Sequence, residues 1–584
     1  MEDIYEPLEL YRSELKDKFA SVTAERFQNL LKQSRVDEAA NQKLVNQIDR
    51  LNSKLRKMST KQSLWMFLNI VFIVGAVVGI VMLFKECNEH SGLSQDGLIG
   101  IAVAVFCCLL FFLWSLPAYR DISSRIERLT AEIRQKKDEA WAQVQPLLNL
   151  FTWDMPADLT QETYPEFKFD PYFTTGRLAD MKLSYDWNDE FNEERSVVYS
   201  HSGEIRGNPF VLAETKQMYW DTKVYTGSKT IYWKERVRDS EGKMQTVNRS
   251  ETLYASVSKP IPAYNHDKFL LYGNEAAPNL TFRRGPSEHS ASGDGFFAKW
   301  GKKRETEKLR ELARNLNDDI DFTMMSNEEF EVLFHAIDRN HEIEFRLLFT
   351  ALAQQQMVKL LNDTVVGFGD DFSFTKAGKM NMIQAGNQRN IEFVTSPDQF
   401  SHYSVRAIRN LFQTKCEAFF KSFYFSLAPL LTIPLYQHSR SIPQKDFSKW
   451  EHRVSFWEFE SVANYYGDGH FKHSSCSTQN ILKVTNMEEL SDGSSAAVIR
   501  AHGFREKQRV DYVSVYGGDG RYHDVAVEWL EYLPVYKDTK VLLIDEGNPE
   551  SSGRQNRIDS VLEHWKRNYD EVIYFRKLFA CIVK

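Results

Sequence analysis

Two uninterrupted apolar runs stand out from the alternating pattern of the rest of the chain. They are LWMFLNIVFIVGAVVGIVMLF, residues 64–84, and LIGIAVAVFCCLLFFLWSLPA, residues 98–118. Each has 21 residues and no charge, and as a helix would cover about 31 Å, the thickness of a bilayer's hydrocarbon core. The competing assignment is a pair of buried core helices. Both runs are too long, and begin too far along the chain, for a cleavable signal peptide. Helical periodicity continues outside them. Leu44, Ile48, Leu51, Leu55 and Met58 recur at alternating steps of four and three, as do Ile122, Ile126, Leu129 and Ile133. Two such stripes at the same ends of a membrane hairpin predict a coiled-coil stalk, zipped antiparallel within one chain or formed between subunits. Leu15, Phe19, Val22, Phe27, Leu30 and Leu31 predict a further amphipathic helix, with packing against the stalk or main domain favoured over a regulatory or membrane-surface role. Within the first run, Gly75 and Gly79 form a small-xxx-small pattern for close helix packing in the membrane.

Beyond the second stripe the period changes. Residues 148–171, rich in aromatics, Pro and Asp, read as a linker that packs on the domain behind it. From about Arg195 the alternation is that of strands. TIYWKERVR (230–238) and ETLYASVSK (251–259) flank a turn region DSEGK, as in a hairpin. SEHSASGDG (287–295) is a polar loop. Lys299, Lys302, Lys303 and Arg304 form a basic cluster, read as a solvated helix start with an anionic-lipid contact as the alternative. Ser326-Asn327-Glu328-Glu329 predicts a capped helix start with Ser326 as the cap, followed by the stripe Phe330, Leu333, Phe334, Ile337. A strand EIEFRLLFT, a helix over 351–361 and a hairpin DDFSFTKAGKMNMI are predicted next. Residues 401–431 read as a helix. Its apolar part, 418–436, carries Lys421, Pro429 and Pro434, which favour a buried helix over a third span. Residues 481–534 read as strands around Gly517-Gly518-Asp519-Gly520. That cluster predicts a hairpin turn, because a phosphate loop would need GxxxxGK[ST] between strand and helix. The tail 554–577 reads as helical.

The predicted class is therefore α+β: an N-terminal transmembrane helical hairpin with a coiled-coil stalk, followed by a mixed strand/helix cytoplasmic domain. The expected divisions are 1–63 helical, 64–84 and 98–118 membrane helices around a short loop 85–97, 119–150 stalk, 151–395 α+β domain, and 396–584 a helix plus β-rich extension.

Charge sets the orientation. Arg50, Lys54, Arg56, Lys57 and Lys61 precede the first run, and Arg120, Arg125, Arg128, Arg134, Lys136 and Lys137 follow the second. The loop between carries one Lys against Glu86, Glu89 and Asp96. The positive-inside rule then places both termini in the cytoplasm and the loop outside. With no ionisable residue in either run, a transporter or proton path is disfavoured. Across 584 residues the net charge is -7, against a nucleic-acid-binding role. The six cysteines show no framework or CxxC spacing, as expected of a reduced compartment.

SNEEFEVLF, EIEFRLLFTALAQQQMVKLL and FSFTKAGKMNM, together with the membrane hairpin, resemble a bacterial two-transmembrane family known as domain of unknown function 3137. The resemblance covers 326–383 closely and the hairpin loosely. It implies two membrane helices before a soluble domain with this strand, helix and hairpin order, and a LemA-type membrane-anchored helical protein as a partner. It carries over no catalytic residue, and this chain runs on for some 200 residues past the family pattern.

One stretch looks like chemistry. GDGHFKHSSC puts His470, His473 and Cys476 at three-residue steps. Zinc would take such ligands but needs a fourth, with His452, His502 and His523 the nearest histidines in sequence. A plain loop is the leading assignment, a zinc site the second and a Cys-His nucleophile the third. The adjacent pairs Asp318-Asp319 and Asp370-Asp371 would point to opposite faces of a strand, which suits neither metal nor acid-base work. Two functions follow: a membrane-anchored interaction or assembly protein without a cofactor, bound to the bilayer and to itself or a membrane partner, or a membrane-anchored enzyme, zinc-dependent or a Cys/His hydrolase, working around His470–Cys476.

Overall fold

The computed structural model describes residues 4–89, 95–188, 195–238, 243–286, 325–336, 338–386, 395–441, 453–546, 552–569 and 571–583, without side chains at 83, 85–97 and 552–557. The basic cluster at 299–304, the loop 287–295, Ile337, His452, Asp318-Asp319 and residues 90–94 of the 85–97 loop lie outside the described part. The chain is mixed helix and sheet and divides into two units. One comprises Thr23–Thr152 and Ser396–Lys415; the other comprises Met1–Val22, Trp153–Thr395 and Cys416–Lys584.

In the first unit α1 (Lys16–Ser34, its first residues belonging to the other unit) leads into α2 (Glu38–Glu89). After the loop come α3 (Gln95–Leu110), a π-turn at Phe111–Ser115 and α4 (Leu116–Leu148). Both apolar runs thus sit inside long helices, each long and apolar enough to cross a membrane, with only 6% and 11% of the apolar windows buried. A core helix would hide those side chains; here Phe67, Phe112 and Leu113 are exposed. Numbers rise on α2 as they fall on its partner. Gln62 Nε2 donates to Ser123 Oγ (2.8 Å), Lys136 Nζ to Gln47 Oε1 (3.1 Å) and Asn41 Nδ2 to Gln143 Oε1 (3.3 Å), which fixes an antiparallel pair. Leu44, Ile48, Ile133 and Ala140 fill the seam.

The second unit begins with Ile4, whose N–H and C=O bond the Gln437 side chain at 2.6 Å each, while Tyr424 OH donates to Pro7 O (2.6 Å) and Phe19 stacks on Phe420 at 4.3 Å. It resumes with α5 (Met155–Thr163), β1 (Phe167–Phe169) and α6 (Thr175–Ser184), so 148–171 includes a helix and a short strand. β2 (Arg195–Ile205), β3 (Asn208–Arg238), β4 (Met244–Gly273) and β5 (Thr281–Arg284) follow. Then come α7 (Glu328–Phe334), α8 (Glu342–Leu348), α9 (Ala351–Asn362), β6 (Phe372–Ala377) and β7 (Met380–Ala385). The first sheet is antiparallel in the order β1-β2-β3-β4-β7-β6-β5. The β6–β7 turn uses Gly378 at φ +60°, a conformation glycine adopts without strain.

Two local expectations shift. The cap of α7 is Asn327, whose side chain accepts from Phe330 N–H, one residue later than expected. EIEFRLLFT forms α8 instead of a strand. Its Glu-Ile-Glu-Phe start satisfies both periods, but burial of Glu342, Phe345 and Leu348 follows the helical step and leaves Ile343 70% exposed. Arg339, sealed inside, holds Glu342 (2.8 Å) and Glu331 (2.9 Å) and anchors that start.

The chain leaves this unit at Thr395 and returns at Cys416, so 416–584 shares one unit with 153–395. α10 (Val405–Leu431) is buried from Phe419 to Leu431 apart from Lys421. α11 (Phe456–Tyr466) precedes β8 (Ile481–Glu489), β9 (Ser495–Tyr516), β10 (Tyr522–Asp545), α12 (Ser552–Asn568), β11 (Val572–Phe575) and β12 (Leu578–Val583). The tail is thus a helix followed by a strand pair. The second sheet runs β11-β12-β10-β9-β8. α11 packs between the sheets, Trp457 in one core and Phe459, Val462 and Ala463 in the other. Its buried Glu460 accepts the N–H of Val197 (2.9 Å) and of Val484 (3.2 Å), both at irregularities where the β2 and β8 ladders lose register. Those amides would otherwise be buried without partners.

Candidate interaction surface

β3 and β4 are 31 and 30 residues long, β9 and β10 22 and 24. Strands this long outrun their sheets. Beyond about Gln217, β3 and β4 pair only with each other and pack on β9 and β10, an extension of about 70 Å at 3.3 Å per residue. A lone two-stranded ribbon is marginal in water. Here each ribbon covers one face of the other. Ile231, Leu253 and Ala255 meet Val525 and Val527 in a buried strip, flanked by Tyr225, Trp233, Val257, Val513 and Val515. Fully burying one such aliphatic side chain stabilises by about 1.5–3 kcal/mol.

Polar links fix the alignment. Lys229 Nζ donates to Asp524 O (3.1 Å), and Gly518 N–H to Glu251 Oε2 (2.6 Å). Lys259 pairs with Asp511 (2.6 Å) while lying 4.2 Å over the Trp529 ring, whose N–H also reaches Asp511 (2.9 Å). Those two donors hold the Asp511 carboxyl below its ordinary range. Gly227 is required by close approach, since a Cβ there would stand 2.1 Å from the Ala526 carbonyl oxygen. The faces turned away from the partner ribbon expose Tyr232, Tyr254, Tyr512, Tyr516 and Tyr522. At the turn of the second ribbon, Asp519 accepts from His523 Nε2 (2.9 Å), so Gly517–Gly520 is the expected hairpin turn.

The residues singled out for metal binding are held by separate neighbours. His470 is exposed on the single turn Asp468–Phe471, edge-on to Tyr466 at 5.7 Å, and its carbonyl accepts from Lys537 (3.2 Å). His473 Nδ1 accepts from Ser475 N–H (3.2 Å), closing its own loop. Cys476 is buried, its Sγ 3.5 Å from Asn480 Oδ1 and from Thr478 O. Among the described residues no group of three or more His, Cys, Asp or Glu side chains is placed to hold a metal ion. His502 is exposed, opposite Tyr536 in the ladder. Asp370 is buried against Arg284.

Gly75 and Gly79 face the second apolar helix. A Cβ at Gly75 would lie 2.8 Å from Cys107 Sγ, and one at Gly79 2.7 Å from Gly100 O and 2.8 Å from Ala104 N. That spacing leads to a prediction. Gly75→Cys is expected to form a disulfide with Cys107 under mild oxidation in membranes, and Gly75→Cys with Cys107→Ser none. The check is a non-reducing mass measurement of proteolytic fragments; no bond in the single variant would break the pairing described.

Sequence reasoning missed a buried ionic group. Arg576, fully enclosed, donates to Asp154 (2.8 Å), Glu458 Oε1 (3.0 Å) and Ser200 O (2.6 Å). Beside it His201 bonds Tyr199 OH and Asp170 O, 3.1 Å each. The one local signal was Glu458 and Glu460 inside the apolar run FWEFESV. Burial raises the Glu458 pKa, partly offset by Arg576. Burial, with the Arg576 charge, pushes His201 down to about 4 from 6.5, against Asp154 and Asp170. Between those values the unfolded chain takes up a proton that the folded chain refuses, so stability falls as pH drops through that window, by about 3 kcal/mol at pH 4. His201→Gln is expected to flatten that part of a stability–pH curve relative to wild type; identical slopes would show His201 titrating normally. Arg576, Glu458 and His201 are buried, and the cluster ties together distant segments of the chain.

Compared with protein-family models, curated proteins and solved structures, the chain matches none.

Proposed function

We propose that this chain is a membrane-anchored, cytoplasm-facing protein that works by binding or assembling with other proteins, with the double ribbon as its contact surface. The observation that carries the reading is that ribbon: two long hairpins stabilise each other and leave tyrosine-bearing faces uncovered, the residue type that anchors protein contacts. Anchoring is supported by the exposed apolar helices and the basic residues at their outer ends. Ile4–Val22, before the first apolar helix, packs in the same unit as residues after the second, which supports an even number of crossings. Membership of the two-transmembrane family, self-association and a LemA-type partner belong to this proposal. The test is a photocrosslinker placed at Tyr254 and at Tyr512 in the full chain in cell membranes. A discrete protein adduct at either site is expected; adducts only at control positions within the sheets would overturn the reading.

A further inference from the structure

The pleat sorts the two outer faces of the double ribbon by charge. In β3 the even-numbered positions from Thr222 to Arg238 turn away from β9 and β10, and their register partners in β4, Met244 to Pro260, share that face. These positions hold Lys234, Arg236 and Arg238 and no carboxylate, with Tyr232 and Tyr254 standing among Ser and Thr. Glu235 is on the other face, paired with Arg249 (3.0 Å). In the second ribbon the outward positions are Val510, Tyr512, Ser514 and Tyr516, opposite Glu528, Ala526, Asp524 and Tyr522. They hold two carboxylates and no Lys or Arg. The slab therefore carries cations on one broad side, carboxylates on the other, and exposed tyrosines on both.

We infer that copies of this chain associate through the double ribbon, the Lys234–Arg238 face of one copy lying on the Asp524–Glu528 face of the next. The inference rests on the interaction reading above and names the partner as a second copy. A two-fold contact would set each face on its like, cation on cation, so the complementary contact is heterologous and leaves a free face at each end of a row. Within one copy Lys229 lies over Asp524, so bringing Arg236 there from a neighbour shifts the arms by seven residues, about 23 Å. The overlap is about 10 Å wide and 40 Å long, or about 400 Å² per copy, half a standard interface. Each contact is weak alone and is strengthened where anchoring holds copies at high effective concentration.

The test uses charge swaps in the full chain, in detergent and in liposomes. One variant, Lys234→Glu with Arg236→Glu and Arg238→Glu, has two acidic faces; another, Asp524→Lys with Glu528→Lys, has two basic ones. Sedimentation and amine-independent photocrosslinking are expected to show salt-sensitive association of wild type. Each variant alone should lose at least tenfold, and an equimolar mixture should regain it. Variants that associate like wild type, or a mixture that stays dissociated, would overturn the inference. So would loss of binding to phosphatidylserine vesicles by the first variant with association unchanged, which would assign the basic face to a lipid surface. A wild-type chain that is single when purified but co-migrates with other proteins in membrane extracts would sink the copy-to-copy contact and leave the broader reading standing. A chain single in both would sink both.

Discussion

Replacing Arg576 with Met is expected to destabilise the sheet-bearing unit by about 3–5 kcal/mol, the usual cost of removing one partner from a buried ion group. Arg576 is the only cation bonded to Glu458 among the described residues, and it also bonds Asp154 and the Ser200 carbonyl. Those groups come from four distant parts of the chain: the start of α5, β2, α11 and the β11–β12 turn. Without the guanidinium, Glu458 must take up a proton or stay charged in an apolar site, and the Asp154 carboxylate loses its bonded cation. Adding Glu458→Gln to Arg576→Met should recover part of the loss, because the uncompensated charge is then gone. Denaturant unfolding of the detergent-solubilised chain, followed by tryptophan emission, reads both. Trp457 and Trp153 lie within the affected cores. A single variant within 1 kcal/mol of wild type would show that the ions are paired at no net benefit.

Gly227→Val is expected to act differently: it opens the double ribbon and leaves the sheets folded. The added Cβ meets a backbone oxygen, and Val527 Cγ2 is 3.1 Å away, so no rotamer change makes room. The ribbons must part at that level, exposing Ile231, Leu253, Val525 and Val527 together. Amide exchange at 225–233, 253–257 and 513–527 should speed up about 10³-fold, equivalent to about 4 kcal/mol of local stability, while the sheet cores exchange as before. Gly227→Ala should show a smaller change in the same segments. Unchanged exchange in the valine variant would mean that the ribbons are not held together as described.

How much of this was legible in the chain depends on the reach of each interaction. The apolar helices were plain, because a run of 21 uncharged residues is a local fact. The hairpins at 230–259 and 510–530 were legible from alternation and turn glycines. Which side of each ribbon meets the other was not, since period two names two faces and only the partner chooses between them. The choice turned on Gly227, whose missing Cβ matters to Ala526 some 300 positions on. Glu-Ile-Glu-Phe at 342–345 fitted both periods, and buried Arg339 decided it. The Arg576 group had almost no local signature. The histidine and cysteine spacing at 470–476 was legible as a pattern, yet each residue is held by its own neighbours, because a loop does not converge its residues merely by spacing them evenly.

The binding of Ile4 to Gln437 sets a timetable for biosynthesis. The two are separated by 433 positions. At about 5–20 residues per second, a ribosome takes roughly 20–90 s to supply the second after the first. Tyr11 and Phe19, buried against Phe420 in the finished protein, wait through that interval without those partners. Both apolar helices are translated within the same interval. Residues 4–22 therefore wait for their partners at 420–437 while the chain between is made, and a chaperone that covers Tyr11 and Phe19 during that interval would keep them from aggregating.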